Sequence, residues 1–273
     1  MIMRERIFQS PKHALSKTAI YLGFFSAVVT ILGIIGFENI AETVFMRVVI
    51  VIGIFIFAFL VACIRCLFFY RRVKVPLGGG RIAYIEYGDL FSKKGVIVVP
   101  CNRYFDTQIN EKIVNAKPVM GNFVKNAYPG NISQLDNDIS KSINGIPTES
   151  TNKEGKNSKY PIGTIANVSK GGNDYYCLAL TDVNLDSNNS FCDLDMLYKS
   201  LVKLLNFINE NAGKKDVFMP VLGAGFSRLG KEKQIILDFI IAVFKASDVK
   251  LQSKLHIVLL EEECEFYNLT KKY

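Results

Sequence analysis

Two stretches of this sequence carry residue types suited to holding a ligand: CNRYFDT, residues 101–107, follows the apolar run VIVVP, and LGAGFSRLG, residues 222–230, follows VFMPV. In the second stretch Gly223 and Gly225 lack a Cβ, so backbone N–H groups around Ala224 can approach an anion closely. A helix beginning near Lys231 would add its positive N-terminal end at the same place. That pattern offers a cradle for a diphosphate, although a tight strand-to-helix turn uses the same glycines, and the spacing alone leaves both readings open. Phe226 suits a platform for a sugar or base as well as a buried staple, and Ser227 lies beside it in the loop. Arg228 suits a phosphate contact as well as a solvated surface position. In the first stretch Asn102 ends a strand, where it serves a ligand or caps a turn. Tyr104, Phe105, Asp106 and Thr107 then form a loop able to close over the far end of a ligand. Asp106 would act as a base only if a ligand placed a water beside it, and no nucleophile and base pair can be drawn.

These loops need strands to end where they begin. IAYIEY (82–87), GVIVVP (95–100), DYYCLALTDV (174–183), DVFMPVL (216–222) and LHIVLL (255–260) are β-branched or apolar runs of strand length. Helical spacing separates them. Leu197, Leu201, Leu204, Leu205 and Ile208 share one face of a helix over about 195–211, with Asp193 or Asp195 as its N-cap and Gly213 as its stop, and KEKQIILDFIIAVFKA is a second helix. A further helix is broken near Pro118, PIGTIANVS suits a strand, and EGKN (154–157) reads as an exposed turn in a polar region from Ile132 to Asn173. Such alternation predicts a three-layer α/β domain, with helices covering a mixed central sheet. Ligands of that class settle beyond the carboxyl ends of the strands, which is where both loops fall.

The first 75 residues are of a different kind. Residues 19–37 hold no charge, and a second apolar run within 46–69 is bracketed by Arg47 and Arg65. At about 1.5 Å per residue, 19 residues reach the ~30 Å thickness of a hydrocarbon core. The predicted organisation is therefore a two-helix transmembrane hairpin in residues 1–75, a Gly-rich linker at 76–81, and an α/β domain over 82–273. Lys and Arg flank both outer ends of the hairpin while the short loop between carries Glu38 and Glu42, so both termini and the α/β domain are expected on the cytoplasmic side of the cell membrane. Of the net charge of +8, most sits in these 75 residues, where nine Lys and Arg meet three Asp and Glu. The excess favours contact with anionic lipid and gives no reason to invoke nucleic acid. Gly23 and Ala27 form a small-x-x-x-small pair through which spans can pack. The six cysteines and two histidines, His13 and His256, show no metal-ligand spacing, and Cys63 and Cys66 read as apolar filler of the second span.

GDLFSKKGVIVVPCN, residues 88–102, resembles the first signature of Macro domains, a Gly-Asp pair before a buried strand that ends in asparagine. FMPVLGAGFSRLG, residues 218–230, resembles the second, a buried strand entering a Gly-x-Gly-aromatic loop. The whole pattern, a two-span hairpin fused to a divergent Macro domain with Tyr-Phe-Asp-Thr and Tyr-Pro-Ile-Gly-Thr stretches, is similar to the membrane-anchored Macro effectors of type II Thoeris antiphage defence. The resemblance implies an ADP-ribose derivative as ligand and no cofactor or metal. It implies that Asp89 contacts the adenine amine, that Gly223, Ala224, Gly225 and Phe226 wrap the diphosphate, and that Asn102 approaches the distal ribose. It further implies a partner TIR-domain enzyme that makes the signal from NAD, homo-oligomeric assembly, and disruption of the lipid bilayer. The chain lacks the glycine run that follows the strand-end asparagine in Macro domains that hydrolyse ADP-ribosyl linkages, so a binding role is expected ahead of the alternative, a membrane-tethered ADP-ribosyl or nucleotide hydrolase.

Overall fold

In the computed structural model of the chain, the described residues are 72–108, 119–153, 155–185, 187, 189–225 and 229–269, with isolated positions between 23 and 57. Two units form, Met1–Arg72 with Asn268–Lys272, and Val73–Tyr267 with Tyr273. In the first unit the described positions, among them Gly23, Ser26, Thr30, Met46, Val49, Ile52 and Ile56, are helical. Among the described residues no helix is long and apolar enough to cross a membrane, and the expected spans at 19–37 and 46–69 lie for the most part outside them.

The second unit is built on strands β1 (Arg72–Gly78), β2 (Arg81–Tyr87), β3 (Val96–Asn102), β6 (Ile165–Lys170), β7 (Asn173–Val183), β9 (Val217–Met219) and β10 (Leu255–Leu259), in the order β1-β2-β10-β9-β3-β7-β6. The short strand β8 (Ser190–Phe191) adds to β7, and β4 (Glu149–Ser150) and β5 (Ser158–Lys159) make a separate two-stranded ribbon. Strands β2, β10, β9, β3 and β7 run parallel, and β6 and β8 run antiparallel to β7. Helices α1 (Val119–Ala127) and α2 (Ile132–Ser142) pack with Ile97, Val99, Cys101 and Cys177 on one face of the sheet. Helices α3 (Leu194–Asn211) and α4 (Lys233–Ala246) lie on the other, where the Tyr176 ring meets Phe207 edge-on with centroids 4.9 Å apart. The mixed, three-layer arrangement is the one expected.

Local chemistry explains the boundaries. Val96, Ile97, Val98 and Val99 are all fully buried, as a parallel strand covered on both faces requires. Asp193 caps α3 by accepting from the Met196 N–H at 2.7 Å, the stripe from Leu197 to Ile208 faces the core, and Gly213 leaves the helix at φ +61°. Helix α2 was not expected in the polar region; it is amphipathic enough to bury only Leu135 and Ile139, and Asn131 caps it.

The linker expected at 76–81 is not one. Residues 72–78 are the edge strand β1, with Val75 and Leu77 buried, and a two-residue connection returns the chain into β2. Both connecting residues have positive φ, +58° at Gly79 and +79° at Gly80, which a tight hairpin demands and glycine supplies without strain. The glycine run reads as a flexible joint in one dimension and serves as a hairpin turn because the residues before it alternate inward and outward. The α/β unit accordingly begins about ten residues before position 82.

Candidate functional site

Because β2, β10, β9 and β3 are parallel neighbours, their carboxyl ends share one edge. Asp89 follows β2, the glycine turn follows β9, and the loop from Asn102 follows β3. Strands lie about 4.8 Å apart, so β2 and β9, with β10 between them, bring Asp89 and the 223–225 turn to within roughly 10 Å laterally, and β3 is one further step along. The three segments singled out from sequence thus occupy successive places along a single edge.

Asp89 is exposed and caps the short 3-10 turn Leu90–Ser92, Oδ1 accepting from the Phe91 N–H at 3.0 Å. That cap occupies one carboxylate oxygen, leaving the other able to accept from an amine. In the glycine turn, Gly223 is buried at φ +87°, with Leu197 of α3, Leu229 and Ile236 of α4 nearest the position a Cβ would take. The Ala224 N–H turns back to the Val221 carbonyl at 3.2 Å, which makes this a closed turn. Gly225 is exposed, and a Cβ built on it would meet nothing within 4 Å. Open space beside an exposed glycine is what close approach by a ligand requires. Phe226, Ser227 and Arg228 lie outside the described residues.

The 102–107 loop is tightly organised. Asn102 donates from Nδ2 to Asp106 Oδ2 at 2.9 Å, while its Oδ1 accepts from the N–H groups of Tyr104 and Asp106 at 3.1 and 3.2 Å. Its amide is therefore spent on turning the chain, the capping role weighed above. Phe105 is fully buried and is the one non-glycine residue with positive φ among those described, at +51°. Such a conformation costs on the order of 1 kcal/mol and persists only where surroundings dictate it. Thr107 donates from Oγ1 to Asp136 Oδ1 of α2 at 2.6 Å.

Asp106 differs most from expectation. Its carboxylate is buried, ion-paired through Oδ2 to Lys153 Nζ at 2.8 Å, and accepts the Lys156 N–H through Oδ1 at 3.1 Å. With three donors on two oxygens and 3 % side-chain exposure, it is shielded from solvent in this arrangement. The nearby thiol offers no nucleophile either, since burial pushes Cys101 well above the usual range.

Residues the sequence reading passed over complete this end of the edge. Arg103 donates from Nε to the Tyr160 carbonyl at 2.6 Å and pairs with Asp182 at 3.0 Å, and Lys159 meets the same carboxylate at 2.8 Å. Burial alone would raise Asp182, but Lys159, the Val183 N–H and Arg103 hold it below the ordinary carboxylate range. The regular spacing of Lys153, Lys156 and Lys159 in the polar region was the available signal. Away from that edge, near the start of β10, His256 lies between Tyr84 and Phe218 in ring contact, with centroids 5.1 and 4.5 Å away. Next to it, His256 and Lys93 hold the Glu86 carboxyl at about 2, against the raising effect of burial.

A mixed, three-layer sheet with its loops gathered at the parallel carboxyl edge is the Macro-type architecture. The family model described as Thoeris protein ThsA, Macro domain, matches residues 83–260, and the chain belongs to that family. It is 25% identical over 237 residues to the Thoeris protein ThsA of Bacillus amyloliquefaciens (strain Y2), across 81% of this chain and 76% of that protein. Among solved structures, the Oceanobacillus iheyensis macrodomain with MES bound is similar at a TM-score of 0.46 and 15% identity, covering 72% of this chain and 93% of that one. The same macrodomain with ADP gives a TM-score of 0.44 and 15% identity, covering 72% and 92%.

Proposed function

We propose that this chain is an antiphage effector whose Macro domain binds an ADP-ribose-type nucleotide along the parallel carboxyl edge. Asp89 takes the adenine amine, Gly223, Ala224 and Gly225 with Phe226, Ser227 and Arg228 hold the diphosphate, and the loop bearing Asn102, Phe105, Asp106 and Thr107 bounds the distal end. Carrying this reading is the succession of Asp89, the open Gly225 turn and the Asn102 loop after strands β2, β9 and β3 along one parallel edge of a ThsA-family Macro domain. Binding without turnover is favoured because the chain lacks the glycine run that follows the strand-end asparagine in Macro domains that hydrolyse ADP-ribosyl linkages. No cofactor takes part.

In this reading the segment before β1, with spans at 19–37 and 46–69, anchors the chain in the cell membrane with the Macro domain on the cytoplasmic side. Support comes from the uncharged runs and from Met46, Val49, Ile52, Ile56 and Phe57, which are helical, apolar and more than half exposed. A partner TIR-domain enzyme supplies the signal from NAD, and occupancy promotes homo-oligomeric assembly that breaches the bilayer. The ligand must then bind the assembled state more tightly than the resting one, since equal affinity shifts nothing. Calorimetric titration of the purified full-length chain with ADP-ribose, with the nucleotide analysed afterwards, tests the central step. Saturable one-site binding with the ligand recovered intact is the expected result; repeated turnover would establish a hydrolase instead, and absence of binding would remove the ADP-ribose assignment.

A further inference from the structure

The polar groups of the 102–107 loop are already claimed from one direction. Lys153 Nζ reaches the Asp106 carboxylate at 2.8 Å with both side chains almost wholly buried, and the Lys156 N–H takes the second oxygen at 3.1 Å. Lys156 Nζ donates to the Phe105 carbonyl at 2.6 Å and pairs with Asp136 at 2.5 Å, and the Tyr160 N–H donates to the Arg103 carbonyl at 2.9 Å while its ring meets Phe105 edge-on. All of these donors lie in residues 149–160, the segment that carries β4 and β5. Among the described residues the segment pairs as a strand only within its own ribbon, so it is held here by the Lys153 and Lys156 side chains, by the Lys156 and Tyr160 N–H groups and by the Tyr160 ring.

We propose that residues 149–160 form a strap latched over the distal end of the nucleotide site, with the Lys153–Asp106 ion pair as the latch. While the strap is closed, Asp106 and the Phe105 carbonyl accept from strap donors, and Asn102 is turned inward to Asp106. A ligand engages this loop only after the strap lifts, so the closed form is a resting state and its opening sets the binding-competent fraction. Two features make the closed form costly enough to open. Phe105 is held at positive φ beneath Tyr160, and the Tyr104 hydroxyl, under the Lys153 ammonium that sits 4.9 Å from its ring, is buried without a hydrogen-bond partner. The proposal rests on the nucleotide-site reading above and adds to it a gate made by this chain's own insertion.

Hydrogen exchange and ADP-ribose association kinetics on the full-length chain separate the two. Lys153→Met keeps the length of the side chain and removes the charge, and it is expected to speed exchange of amides in residues 149–160 and to raise the association rate of ADP-ribose by about tenfold. Lys156→Met, at a side chain about a third exposed, provides the same test with less risk to folding and is expected to shift both quantities in the same direction. Faster exchange with an unchanged association rate would overturn the gate while leaving the nucleotide site intact. Unchanged exchange in both variants would overturn the latch itself. Opening of the strap in a chain that binds no ADP-ribose in either form would bring down the site assignment and the gate with it.

Discussion

Gly225 and Glu86 illustrate two ways in which one residue matters. Gly225 has open space where its Cβ would be and no positive φ, so a larger side chain there disturbs nothing in the fold and fills the volume a ligand would occupy. Gly225→Leu is expected to leave the melting temperature unchanged and to weaken ADP-ribose binding by about tenfold or more, as read by calorimetry. Glu86 acts on stability. Its carboxyl is lowered from 4.5 to about 2 by His256 and Lys93, so the folded state gains stability that is complete above pH 4.5 and is lost as pH falls toward 2. His256 Nδ1 stands 3.4 Å from Glu86 Oε1, long for a hydrogen bond, so the gain at neutral pH is nearer ~2 kcal/mol than the full ~3 that the shift implies. Glu86→Gln should therefore lower stability by about 2 kcal/mol at pH 7 and flatten the decline between pH 4.5 and 2, measurable by urea unfolding across that range. Single residues were partly legible in the sequence. Asp89 was selected through the likeness of residues 88–102 to a Macro-domain signature, Gly225 by type and by its place after a strand, and both are exposed. Asn102 and Asp106 were selected on the same grounds, yet their side chains are used up inside the loop, because hydrogen-bond capacity depends on neighbours that spacing does not reveal.

Elements were legible in proportion to their apolar content. Strands β3, β7 and β10 and helices α3 and α4 bury long apolar runs or stripes, and those patterns appear in one dimension. Helix α2 and the β4–β5 ribbon bury little and are held by caps and ion pairs, which leave only composition as a signal. Strand β1 is an instructive failure, since a proline and three glycines obscured the inward alternation of Val73, Val75 and Leu77. Pro76 is tolerable in a strand at the edge of the sheet, where a missing N–H can face away from the neighbour. The two readings differ measurably. Leu77→Ala removes a buried side chain and is expected to cost about 2–3 kcal/mol in equilibrium unfolding, whereas a residue in a free linker would tolerate the change at about zero.

At the scale of the whole molecule, the sequence separates a basic, apolar first quarter from a nearly charge-balanced α/β remainder, and that contrast needs no coordinates. The class of fold followed from the same kind of information: fully apolar strands alternating with amphipathic helices leave few arrangements besides a sheet covered on both faces. Family membership across residues 83–260 agrees with motifs that were readable as strings. Sequence by itself thus determined the layering of the domain, the strands that supply the site and the two loops that follow them, because burial periodicity and glycine placement are local properties. Only the tertiary structure decided that Asp89, the 223–225 turn and the Asn102 loop fall along one parallel edge of the sheet, and that a polar insertion nearly fifty residues further along the chain claims Asp106. Those outcomes depend on strand order and on ion pairs between distant segments, and a carboxylate's partners are fixed by proximity in space, which the order of residues along the chain does not encode pair by pair.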